Sequence, residues 1–193
     1  MQTLIFATNN INKVKEIKSV VGDSINIISL AEAGIDIDIP EPHDTLMANA
    51  SEKSSVIHQL TGQNCFSEDT GLEVAELNGE PGVKSARYAG DGRNFQDNID
   101  LLLQKLSGKP NRSAQFRTVI SLIWNQKEYF FEGTCKGKIT EIQNGLEGFG
   151  YDPVFIPEGS TKTFAEMSME EKNSFSHRKK AVAQLISFLK TIE

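Results

Sequence analysis

The opening thirty residues restrict the fold more than any other stretch of the chain. Leu4-Ile5-Phe6-Ala7 is a short apolar run of the kind that forms a buried strand, and it ends abruptly in polar Thr8-Asn9-Asn10. Val14, Ile17 and Val21 then recur at helical spacing until Gly22, which predicts a helix from about Asn10 to Val21. A second strand is expected near Ile25–Ile28. A strand, a helix and a strand in so short a span call for a crossover, and crossovers join parallel strands. The expected fold class is α/β.

The same alternation continues. Asp44 is the expected N-cap of a helix to about Leu60, with Leu46, Ala50, Ile57 and Leu60 on its inner side and Gly62 at its end. Cys65-Phe66 leads into Glu68-Asp69-Thr70-Gly71 at an expected strand end, and residues 72–77 resume a β-like pattern. Glu80-Pro81-Gly82 reads as a turn, and a helix around Phe95–Leu106 precedes the Gly108-Lys109-Pro110 break. Residues 114–124 and 127–133 read as strands paired around Asn125-Gln126, with 135–142 as a third and 154–156 as a further short one. This places an antiparallel part in the middle third. The closing helix, from about Ser176 to Ile192, buries Val182, Leu185, Ile186 and Leu189. With no repeat, low-complexity tract or linker, residues 1–193 are expected to form a single domain.

A net charge of -6 argues against broad nucleic-acid binding, which relies on basic surface. It leaves room for a small polyanion held by a few local cations, for which Lys13, Lys53, Lys172 and Arg178 are candidates. The apolar runs are too short to span a bilayer, so no membrane partner is expected. The N-terminus lacks the basic region of a secretion signal, and two cysteines are too few for a disulfide framework or a zinc site. The cytoplasm is the expected location.

The chemistry concentrates in three places. Residues 145–152, Gly-Leu-Glu-Gly-Phe-Gly-Tyr-Asp, carry glycines that let backbone approach a ligand, with Phe149, Tyr151 and Asp152 able to sandwich and hydrogen-bond a flat heterocycle. Core packing is the ordinary use of such aromatics, and Asp152 before Pro153 also suits a turn. Thr8, Asn9, Asn10 and Lys13 lie where a strand feeds a helix, a place that suits phosphate, although capping is the commoner use of Asn and Thr there. No P-loop occurs. Glu68 and Asp69 are candidate Mg²⁺ ligands, with Glu41 as the second acid. Glu41, Thr45, Asn49 and Lys53 recur every four residues, a stripe that a solvated helix face would also show. Lys172, Ser176, His177 and Arg178 supply donors at the mouth of the last helix.

Taken together, these motifs resemble the non-canonical purine nucleoside triphosphate pyrophosphatases, the inosine triphosphatase family. The matching blocks are Thr8-Asn9-Asn10-x-x-Lys13, Ser67-Glu68-Asp69-Thr70-Gly71-Leu72, Gly79-Glu80-Pro81-Gly82-Val83-x-Ser85-Ala86-Arg87-Tyr88, Phe131-Glu132-Gly133, Gly148-Phe149-Gly150-Tyr151-Asp152-Pro153-x-Phe155 and Lys172-Asn173-x-x-Ser176-His177-Arg178. Thr70 stands where many members carry serine, and Glu68 where many have aspartate. The resemblance implies hydrolysis of ITP, dITP and XTP to the monophosphate and pyrophosphate with Mg²⁺. It implies an elongated mixed central sheet with flanking helices, two lobes around an active-site cleft, and a homodimer.

By the same resemblance, Thr8, Asn9, Asn10, Ile11, Asn12 and Lys13 hold the triphosphate, and Thr70 contacts the substrate; Lys53 joins the substrate-binding candidates as a local cation. Asp69 is the general base and, with Glu41, a magnesium ligand. Phe149, Gly150, Tyr151, Asp152, Lys172, Ser176, His177 and Arg178 line the nucleotide pocket, with Arg178 or backbone N–H groups facing the purine 6-oxo group. A related pyrophosphatase acting on pyrimidine or modified nucleotides is the alternative.

Overall fold

The computed structural model describes residues 3–22 and 25–192. Strand β1 (Thr3–Phe6) and helix α1 (Ile11–Val21) lead to β2 (Asn26–Ser29), which returns parallel to β1 with Leu4 opposite Ile27 and Phe6 opposite Ser29. Strand β3 (Cys65–Val74) lies parallel on the other side of β1, and Phe6 stacks on Phe66 at 4.5 Å. The crossover expected between β1 and β2 therefore holds, and the structure adds a second parallel pairing, of β1 with β3. The short β4 (Pro81–Gly82) pairs antiparallel with β3. Strands β5 (Ser113–Trp124), β6 (Lys127–Ile139) and β7 (Phe155–Pro157) complete a seven-stranded mixed sheet of order β2-β1-β3-β5-β6-β7, with β4 beside β3. Asn125 and Gln126, both at positive φ (48° and 65°), form the tight turn between β5 and β6.

Helices α2 (Leu46–Thr61), α3 (Phe95–Lys105), α4 (Met169–Phe175) and α5 (His177–Thr191) complete the α/β fold. The cap of α2 is Thr45 rather than Asp44, because the Thr45 hydroxyl accepts from the Ala48 N–H at 3.2 Å. Leu60 lies on the exposed last turn of α2, not on its inner side. Helix α4 went unread in the sequence, although Ser168 and Glu171 form the reciprocal capping box that marks a helix start.

Two glycines mark points of close backbone contact inside continuous strands. Strand β3 runs unbroken through Glu68-Asp69-Thr70-Gly71, because Gly71 lets the β4 backbone approach; a Cβ there would lie 2.6 Å from the Gly82 carbonyl oxygen. Residues 80–82 are thus partly strand rather than only turn. Strand β6 likewise passes Gly137, where a side chain would strike the Ile156 carbonyl, so the expected third strand at 135–142 is the far end of β6.

The chain forms two compact units. The first gathers Met1–Asp69, Thr118–Gly133 and Arg178–Glu193; the second gathers Thr70–Arg117 and Thr134–His177. In the first, Phe6, Ile17, Phe66, Ile120, Val182 and Leu185 form one apolar cluster, while Ile5, Ala7, Leu30, Ile57 and Cys65 form another. Each fully buried Val, Leu, Ile or Phe side chain among them contributes about 1.5–3 kcal/mol. The second unit packs around Leu72, Val74, Leu102, Phe116, Tyr151, Phe155 and Phe164. Among the described residues no helix is long and apolar enough to cross a membrane.

Candidate active site

The junction of β1 and α1 is capped by its own side chains. Asn10 Oδ1 accepts from the N–H groups of Asn12 (3.0 Å) and Lys13 (3.2 Å), and Thr8 Oγ1 accepts from the Asn10 N–H at 3.2 Å. The capping use of Asn10 is therefore realised, and it occupies two of the N–H groups that a phosphate would otherwise meet. Exposed Asn9 donates its amide to the Ile37 carbonyl at 2.7 Å. Ile11 is exposed on the first turn, Asn12 is half-buried, and Lys13 extends to within 3.2 Å of Glu68 Oε1.

Strand geometry separates the two adjacent acids. Successive side chains on a strand point to opposite faces, so Glu68 and Asp69 diverge. Glu68 meets α1 and α5. Arg178 donates Nε to its Oε2 and Nη2 to its Oε1, both at 2.8 Å, and also pairs through Nη1 with buried Glu16. Burial opposes a charge on Glu68, but Arg178 and then Lys13 outweigh it and hold the carboxyl well below the usual range. Burial likewise works against the Arg178 charge, and Glu68 and Glu16 overcome it. Arg178, expected at the purine 6-oxo group, is thus engaged by carboxylates.

Asp69 faces α2. Its Oδ1 accepts from Lys53 Nζ at 2.9 Å, and the same ammonium donates to Glu41 Oε1 at 2.7 Å. Asn49, one turn earlier on α2, places Nδ2 3.5 Å from Asp69 Oδ2 and brackets the His43 backbone with bonds of 2.9 and 3.0 Å, bracing the segment that carries Glu41. Burial raises the Asp69 carboxyl above its ordinary value, an effect Lys53 and Lys13 only partly offset. Burial would discharge Lys53, but Asp69 and Glu41 keep it protonated. The stripe of every fourth residue is therefore no solvated face: Asn49 and Lys53 are buried.

Glu41 and Asp69 converge on one cation, the Lys53 ammonium. Two hard carboxylate oxygens aimed at one point match Mg²⁺, which takes one or two protein carboxylates and completes its octahedron with water and phosphate oxygens. Among the described residues no group of three or more His, Cys, Asp or Glu side chains could hold a metal by itself. The donor set fits an ion that shares its shell with a phosphate ligand.

In the second unit, Gly148 has φ 80°, and a Cβ there would strike the Asp152 carboxylate. That carboxylate folds back to accept from the Phe149 N–H at 2.9 Å and from Lys172 Nζ at 2.6 Å. The Lys172 ammonium also lies over the rings of Phe149 (5.3 Å) and Phe164 (5.2 Å). Phe149 is half-buried, with the Phe95 ring 6.2 Å away. Tyr151 takes the ordinary aromatic role in the core; its hydroxyl donates to the Ser85 carbonyl at 2.9 Å, and burial pushes the phenol upward. Buried His177 stacks on Phe116 at 4.8 Å, and buried Ser176 caps the end of α4. Thr70 and Gly150 are half-buried.

Lys13, Glu68 and Arg178 thus form one ion-paired network and Glu41, Lys53 and Asp69 another, while Phe149, Asp152 and Lys172 form a third assembly. Sequence reasoning missed Glu16, the bracing by Asn49 and the ring of Phe164. Glu16 carries no local signal, since Lys15-Glu16 within a helix resembles any surface charge pattern.

The Ham1 family model matches residues 4–188, nearly the full length. The chain belongs to the Ham1 family. It is 53% identical over 186 residues to the dITP/XTP pyrophosphatase of Flavobacterium johnsoniae, covering 96% of this chain and 97% of that protein. It is 52% identical over 190 residues to the dITP/XTP pyrophosphatase of Porphyromonas gingivalis, covering 98% of each. Among solved structures, the Staphylococcus aureus Ham1 protein matches with a TM-score of 0.89 and 37% identity over 100% of both chains. The Mycobacterium abscessus nucleoside-triphosphatase / dITP/XTP pyrophosphatase matches with a TM-score of 0.77 and 36% identity, covering 95% of this chain and 98% of that one. The family read from the motifs and the α/β fold are both borne out.

Proposed function

We propose that this Ham1-family chain hydrolyses deaminated purine nucleoside triphosphates, dITP, ITP and XTP, to the monophosphate and pyrophosphate, and so clears them from the nucleotide pool. The observation that carries this reading is the near-full-length likeness to relatives named dITP/XTP pyrophosphatase. The convergence of Asp69, Lys53 and Glu41 accords with it. Asp69 accepts the proton of a water whose oxygen bonds to the α-phosphorus, while the bond from that phosphorus to the bridging oxygen breaks and pyrophosphate leaves with the electron pair. Lys13 and Lys53 offset the charge of the leaving group. Glu41 and Asp69 would hold Mg²⁺, which when bound supplies further charge neutralisation on the phosphate oxygens.

The base stacks on Phe149, with Asp152, Lys172, Ser176 and His177 as the polar groups around it. Donors that pair with a 6-oxo group are left unpaired opposite the 6-amino group of adenine, which costs about 1–3 kcal/mol for each buried donor. A cytoplasmic homodimer is the assembly and location that accord with this role. The test is to incubate the purified protein and Mg²⁺ with dITP, XTP, dATP, dGTP and pyrimidine triphosphates and to identify the products. Pyrophosphate from dITP and XTP, well ahead of the others, is expected; stepwise orthophosphate release or no preference would overturn the reading.

A further inference from the structure

We infer that Glu16 is a positioning residue for triphosphate binding, acting through Arg178 and Glu68 on Lys13; this rests on the function proposed above. Glu16 is 4% exposed, unusual for a carboxylate unless it is paired, and it lies one helical turn beyond Lys13 on α1. It is joined to Arg178 Nη1, and the Nε and Nη2 edge of that guanidinium clamps both oxygens of Glu68. Lys13 Nζ meets the same Glu68 Oε1 at 3.2 Å, with a side chain 15% exposed. Four side chains therefore form one relay, Glu16–Arg178–Glu68–Lys13, that starts and ends on α1.

The relay has a geometric consequence. A guanidinium presents donors in a fixed planar fork, so anchoring Nη1 sets the plane in which the opposite edge meets Glu68. The plane of Glu68 in turn sets where the Lys13 ammonium rests. If Nη1 loses its acceptor in a buried site, Arg178 turns to satisfy it, the Glu68 carboxylate turns with it, and the lysine is drawn from its place. Lys13 is the most exposed member of the relay, with 15% of its side chain accessible, and so the member a phosphate would meet.

Two substitutions separate position from charge. Glu16→Gln keeps the reach and an acceptor oxygen but removes the charge; Glu16→Asp keeps the charge but falls one methylene short. Calorimetric titration with inorganic tripolyphosphate should show Glu16→Asp weakened about tenfold, the scale of one charge-assisted hydrogen bond, and Glu16→Gln within about threefold of wild type. In dITP hydrolysis the same ranking should appear in KM, with kcat little changed. Unchanged affinity in both variants, or Glu16→Gln as weak as Glu16→Asp, would overturn the inference. Wild-type protein that hydrolyses dITP while Glu16→Asp matches it would overturn the role of Glu16 alone. Wild-type protein that neither hydrolyses dITP nor binds tripolyphosphate would overturn the function reading, and this inference with it.

Discussion

Arg178 holds Glu68 by two parallel hydrogen bonds, Nε to Oε2 and Nη2 to Oε1, each 2.8 Å long. The bond ties α5 to β3 within the first unit, and both side chains are buried. Removing one partner of such a pair leaves an uncompensated charge, which costs about 3–5 kcal/mol. Arg178→Met should therefore lower the midpoint of urea unfolding sharply. Arg178→Lys should lower it as well, since an ammonium cannot make both parallel bonds. A midpoint equal to wild type in either variant would remove the structural role.

Asp69→Asn should abolish turnover and leave the fold intact. The amide retains an oxygen for Lys53, and Glu41 still balances that ammonium at 2.7 Å. Loss of a general base lowers rates by about 10²–10⁴-fold. Steady-state pyrophosphate release paired with a thermal melt is the measurement. Wild-type turnover in the variant would show that another group takes the proton.

Phe149→Leu tests the stacking face. The ring is half-buried and lies under the Lys172 ammonium at 5.3 Å, so truncation removes a platform without opening the core. Stacking of a base on an aromatic ring is worth about 1–3 kcal/mol, so the KM for dITP should rise about 5- to 150-fold. An unchanged KM would place the base elsewhere.

Glu32 predicts a modest acid sensitivity away from both of the site's ion-paired networks. The Lys18 ammonium, at 2.8 Å, and then the Ser29 N–H, at 2.7 Å, draw its carboxyl from 4.5 down to about 2. The unfolded chain takes up that proton at a higher pH than the folded one, so the contribution is complete above about pH 5 and fades as pH falls toward about 2. Because the pair is exposed, Glu32→Gln should cost less than about 1 kcal/mol near neutrality, with the gap to wild type closing on acidification. Melts at several pH values would show it; a gap that widened in acid would reverse the assignment.

Several elements were legible in advance because their signals are local. Val14, Ile17 and Val21 mark the buried face of α1 without help from distant residues, and Asn125-Gln126 marks the β5–β6 turn. The continuity of β3 through Gly71 was not legible because a glycine that permits a turn and one that admits a neighbouring backbone look alike in a string of letters. At the candidate site, the residue types were legible but their partners were not. Tyr151 and Phe149 stand two apart in one loop, yet the first is a core residue bonded to Ser85 and the second is half-buried.

By itself the sequence determined the α/β alternation, the family, and the acids, cations and rings available for chemistry. Those properties follow from periodicities of 2 and 3.6 residues and from motifs a few residues long. Only the tertiary structure decided that Glu68 and Asp69 part to opposite faces of β3, that Lys53 joins Asp69 to Glu41, and that Glu16 is buried against Arg178. The reason is separation along the chain. Arg178 meets Glu68 across 110 positions and Glu16 across 162, and no local pattern encodes which charge will neutralise which once water is excluded.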